Sequence, residues 1–81
     1  MKMLDPNKNE IIKTIHLYLS EPDAIELVEA LNRLLDDPEA NNHFHLYSED
    51  LKTELSCSIV TDQKLIKNKY TELERKILTE I

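Results

Sequence analysis

The chain reads as a single α+β domain, 1–81, of order β-α-β-β-α: a three-stranded sheet with two amphipathic helices on one face. Three observations carry that reading. Residues 11–19, 43–48 and 53–61 alternate apolar and polar side chains with period two, the pattern of half-buried strands. Two further stretches, 21–36 and 63–79, place apolar residues at three-and-four spacing, the pattern of a helix with one face on a core. The composition, 81 residues of which 41% are hydrophobic with one Phe and no Trp, supports one folded domain with a thin core built mostly of Leu and Ile.

Each element has its own justification. Residues 1–9 carry no periodic pattern and are expected to be a flexible lead-in. In the first strand, Ile15, Leu17 and Leu19 share one parity and His16 and Tyr18 the other. The first helix opens at Ser20-Glu21-Pro22-Asp23. The Ser20 hydroxyl is suited to accept an early backbone N–H, Pro22 lacks a donor that would be orphaned there, and Asp23 sits at the capping-box position. Ala24, Leu27, Val28, Leu31, Leu34 and Leu35 form its core stripe, and Asp36-Asp37-Pro38 ends it.

Glycine is absent, so turns must rest on Asn, Asp, Ser and Pro, as at Asp5-Pro6-Asn7, Asn41-Asn42 and Ser48-Glu49-Asp50. Strands two and three are close enough in sequence to pair as an antiparallel hairpin, with a four- or five-residue loop on a type I turn around Glu49-Asp50. Their inward parity holds Phe44, Leu46, Leu55, Cys57 and Ile59; their outward parity holds His43, His45, Tyr47, Ser56 and Ser58. The final helix, capped by Thr61 or Asp62, aligns Ile66, Tyr70, Leu73, Ile77 and Ile81. That stripe suits the core; a seam for a second copy is the alternative, although under three heptads is short for a coiled coil. Strands one and two would be parallel, joined by a right-handed crossover through the first helix. A central and an edge place for strand three both stay open.

Charge restricts the class of partner. The net charge is −6, and residues 21–62 hold eleven acids against Arg33 and Lys52. Such a body is ill suited to nucleic acid, whose affinity comes largely from neutralised phosphates, and better suited to a basic protein partner. Solubility alone also accounts for an acidic surface. No apolar run approaches the ~20 residues that span a membrane, no signal peptide is visible, and the single cysteine has no intramolecular partner. The cytoplasm is the expected compartment.

Five of the six His and Tyr side chains fall on the outward sheet face. Rings with polar tips bring apolar area to a contact without being stranded in water, so this face is the candidate binding surface. The candidate residues are His16, Tyr18, His43, His45 and Tyr47, with Glu49 and Asp50 at the rim. Enzymatic readings are weaker. Three imidazoles, His16, His43 and His45, suffice in number for zinc, but the face offers little second-shell carboxylate and no pocket signature. Cys57 has the opposite parity to the histidines, and Ser56 and Ser58 lack an oxyanion-hole loop. No cofactor is implied.

His43-Phe44-His45-Leu46, followed by the acids Glu49-Asp50 and a strand start at Glu54-Leu55, resembles the small bacterial immunity proteins encoded beside polymorphic toxins. The similarity is to the immunity protein 32 family, small α+β domains with a His-x-His-Leu segment before a strand. It covers residues 10–60 in element order and His43–Leu46 in motif, and leaves the last helix unmatched. The resemblance implies a cytoplasmic protein that neutralises a cognate toxin, often a nuclease, by direct contact and without catalysis. Two alternatives remain: a homo-oligomerising domain in which the ring-rich face pairs with itself, and a His-based metal-binding protein.

Overall fold

A computed structural model describes residues 1–40, 43–67 and 69–79. The expected turn at Asn41-Asn42 and the helix position Ile81 lie outside the described residues. The class is α+β, but the sheet is divided. Two separate antiparallel hairpins, β1 (Met3–Asp5) with β2 (Glu10–Ile12) and β3 (Phe44–Tyr47) with β4 (Glu54–Cys57), replace the expected three-stranded sheet. Three helices accompany them: α1 (Glu21–Asp36), α2 (Asp62–Ile66) and α3 (Glu72–Thr79).

The first departure lies at the N-terminal end. The lead-in expected to be flexible contains β1, whose Met3, Leu4 and Asp5 pair with Ile12, Ile11 and Glu10. Asp5 Oδ1 accepts from the backbone N–H of Asn7 at 3.0 Å and of Lys8 at 3.2 Å, and Asn9 takes φ 54°, so the turn closes without glycine. This short loop closes at small entropic cost, whereas pairing with strands some thirty residues away must close a long one. The expected strand 11–19 therefore contributes only its first two residues to a ladder. Residues 14–20 hold no strand or helix structure, the parallel crossover does not form, and Ile15, Leu17 and Leu19 are about half exposed.

The helix α1 matches its expected limits, with Ser20 Oγ accepting from the Asp23 N–H at 3.2 Å. Its buried residues are Ala30 and Leu34, with Leu27 half-buried beside them. Val28 and Leu35 face outward, and Leu31 is 38% exposed, so the expected stripe splits into a packed arc and an open one. Their angular separation explains this: Ala30, Leu34 and Leu27 lie together around the helix, whereas Ile25, Val28 and Leu35 lie on the far side of Leu31.

The second hairpin follows the expected parity. Phe44, Leu46, Leu55 and Cys57 are buried or half-buried and His45, Tyr47, Glu54 and Ser56 exposed. The turn has Leu51 N donating to Ser48 O at 2.9 Å around Glu49-Asp50, and Ser48 N donating to Thr53 O at 2.9 Å. Burial raises the Cys57 thiol above its ordinary pKa, as expected of a small inward hydrophobe.

The expected terminal helix is two helices. In α2, Thr61 Oγ1 accepts from Lys64 N at 3.2 Å, and the helix ends after Ile66. A capping box then starts α3: Thr71 Oγ1 accepts from Glu74 N at 3.2 Å while Glu74 Oε1 accepts from Thr71 N at 3.0 Å. Among the described residues the buried hydrophobic core is Ala30, Leu34, Leu46 and Ile77. Ile66, expected in the core stripe, is exposed.

Candidate functional site

The outward face of β3 and β4 is built by strand parity alone. His45 and Tyr47 project from β3 on the side opposite Phe44 and Leu46, and His43, just before the strand, continues the row. The three rings lie in sequence along it. His43 and His45 meet edge to face with centroids 4.8 Å apart, and His45 and Tyr47 are near-parallel at 6.1 Å. Both separations fall within the range of favourable ring pairs.

Cross-strand register sets the polar partners. Tyr47 pairs with Glu54 and His45 with Ser56, which places Glu54 diagonally beside His45. His45 Nδ1 and Glu54 Oε1 are 2.8 Å apart. With Nδ1–H donating to the carboxylate, the imidazole is held in one orientation and the neutral form leaves Nε2 as the acceptor. Both side chains are exposed, so the pair contributes to orientation more than to stability.

At one end of the row, the β3–β4 turn carries Glu49 and Asp50. Asp50 is committed locally: its Oδ1 accepts from Ser48 Oγ at 2.6 Å and from Lys52 N at 3.0 Å. The Ser48 hydroxyl, followed by the Lys52 N–H, holds its carboxyl below the usual value. At the other end, a cleft of about 240 Å³ opens where α2 and α3 approach the hairpin. Its walls include His43, His45, Ser56 and Ser58 from the hairpin side and Lys64, Lys69, Tyr70 and Glu74 from the helical side.

Sequence reasoning missed the helical wall of that cleft. Lys64 is 1% exposed, and its Nζ donates to Ile59 O at 2.7 Å, tying α2 to the exit of β4. Tyr70 OH lies 3.0 Å from Ser58 Oγ and 3.4 Å from Ile59 O, so it borders the ring-rich face instead of serving the helical core stripe. The available signal was Thr71-Glu72-Leu73-Glu74, a capping box that ends the preceding segment and releases Tyr70 from a continuous helix.

The structure brings together His43, His45 and Tyr47, with Glu49 and Asp50 in the adjoining turn. It does not bring His16 and Tyr18 to them by strand pairing: both lie in the unladdered segment before α1, and Tyr18 is 90% exposed. A carboxylate–imidazole pair exists in Glu54 and His45, but among the described residues Ser56 hydrogen-bonds neither histidine. Among the described residues no three His, Cys, Asp or Glu side chains are grouped to hold a metal ion. No helix among them is long and apolar enough to cross a membrane. No family model, curated protein or solved structure matches the chain.

Proposed function

We propose that the chain is a cytoplasmic binding protein of immunity type, which neutralises a cognate bacterial toxin by direct contact and without catalysis of its own. The observation that supports this reading best is the row His43–His45–Tyr47, three rings in register on the solvent side of a hairpin. Rings whose apolar faces are already lined up lose little side-chain entropy on docking, so they serve as anchors. Glu54 and the turn acids Glu49 and Asp50, against Lys52, leave the turn end of the row net negative, which suits a basic toxin or nuclease domain. Such a partner has a cationic site built for phosphates, and the acidic body 21–62 would speed the encounter.

The test uses a toxin domain encoded beside this chain. Tyr47→Ala is expected to raise the dissociation rate by a factor of roughly thirty or more, the equivalent of about 2 kcal/mol for a truncated anchor. Glu49→Gln is expected to slow association and weaken its salt dependence, with little change in dissociation. Full protection by a His43→Ala, His45→Ala, Tyr47→Ala triple variant would remove the hairpin face from the binding surface.

A further inference from the structure

Residues 14–19 hold no strand or helix, and their backbone has no ladder partner among the described residues. Their sequence alternates apolar and polar residues, and Ile15, Leu17 and Leu19 are exposed by about half. Directly after it, α1 leaves the open arc Ile25, Val28, Leu31 and Leu35 on its surface. Seven large apolar residues are thus exposed within residues 15–35, and exposed apolar surface of this kind marks an interaction site when it is contiguous. A stretch without proline or glycine, and with Lys13 as its one charge, is a template for another strand.

We propose that this edge pairs with the same segment of a second copy, antiparallel about a twofold axis through Leu17. Such a contact is isologous, so each residue must suit its own symmetry partner. In this register Leu17 faces Leu17 and Ile15 faces Leu19, an apolar set on one side of the seam. On the other side His16 faces Tyr18, a ring pair. Thr14 faces Ser20, the residue that caps α1, so each end of the seam stops where the helix begins. A second copy is favoured over a foreign strand because every one of these pairs is complementary within one sequence. Residues 11–20 are also the longest stretch without an acid in a chain of net charge −6, where two copies meet with least repulsion. A two-stranded ribbon alone is marginal in water, and the α1 arc supplies the additional apolar surface that it needs. His16 and Tyr18, which the hairpin face does not use, acquire a place at the seam.

Light scattering on the full chain at about 100 μM is expected to return twice the 9.5 kDa chain mass. Leu17→Asp is expected to weaken association at least ~10-fold and give a monomer with retained circular dichroism, since Leu17 is exposed in the single copy. Should that variant unfold, Val28→Lys tests the same surface. Oxidation provides the register: in a Cys57→Ser background, Leu17→Cys should cross-link into a disulfide dimer faster than Leu51→Cys, which is exposed on the β3–β4 turn. A monomer at 100 μM, a dimer indifferent to both Leu17→Asp and Val28→Lys, or equal cross-linking at the two cysteine positions would each overturn the proposal. A monomer would also reassign the edge to a foreign partner strand. The inference is separate from the toxin contact: His45→Ala, Tyr47→Ala should leave the mass doubled, and loss of the dimer there would place the interface on the hairpin instead.

Discussion

Leu51 takes φ 60° at the end of the Ser48-Glu49-Asp50-Leu51 turn, a position that glycine or asparagine usually fills. A branched side chain there costs roughly 1–2 kcal/mol, and with 76% of it exposed little packing offsets the cost. Leu51→Gly should therefore raise stability by up to about 1 kcal/mol after the greater chain entropy of glycine is deducted, as read from urea unfolding. Asp50 in the same turn contributes through its charge. Its carboxyl titrates below 3.8 in the folded chain because the Ser48 hydroxyl and the Lys52 N–H bind the ionised form. The lowered pKa makes its contribution complete above the unfolded value and lost as pH falls through the folded one. An NMR titration should place the Asp50 midpoint below 3.8, and Ser48→Ala should move it upward; an unmoved midpoint would show that the hydroxyl is not the cause.

Among the elements, α1 shows most clearly how one amphipathic pattern divides. Leu34 is 2% exposed and Leu31 38%, although both belong to the same three-and-four stripe. Leu34→Ala should cost about 2–5 kcal/mol because it opens a cavity in a thin core, and Leu31→Ala appreciably less. Thermal melts of the two variants, compared at one protein concentration, test which arc is packed. Equal losses would mean that the open arc is covered in solution to the same degree as the core. The break between α2 and α3 is equally specific. Thr71 and Glu74 satisfy each other's backbone donors, and Tyr70 is thereby placed to reach Ser58 and Ile59.

For the molecule as a whole, the core of Ala30, Leu34, Leu46 and Ile77 among the described residues is small for 81 residues. A domain of this size has only a modest margin of stability, and anything that binds the folded state alone raises it by mass action. If residues 13–19 pair between copies, the melting temperature should rise with protein concentration over 5–200 μM, roughly 2–8 °C per kcal/mol of linked association. The same series on Leu17→Asp should be flat. A flat wild-type series would mean that the single copy carries its exposed apolar surface without help.

Much of the hairpin is legible in the sequence. The inward set Phe44, Leu46, Leu55 and Cys57, the outward row His45 and Tyr47, and the turn at Glu49-Asp50 all follow from a period of two and a loop too short to permit another pairing. The limits of α1 were legible for the same reason, since Ser20 and Asp36-Asp37-Pro38 act on backbone groups within one turn. These are local effects, decided by neighbours in sequence. The fate of residues 13–19 is not local: a strand pattern states that an edge is ready to pair, not with which edge, and of residues 11–19 β1 captures only Ile11 and Ile12. Likewise, a helical stripe wider than one contact does not say which arc meets the hairpin, so the burial of Leu34 and the exposure of Leu35 had to be settled by packing. Lys64 and Tyr70 join the ring-rich face because α2 and the connection to α3 meet the exit of β4 there, a juxtaposition made by the folded chain and carried by no single segment of it.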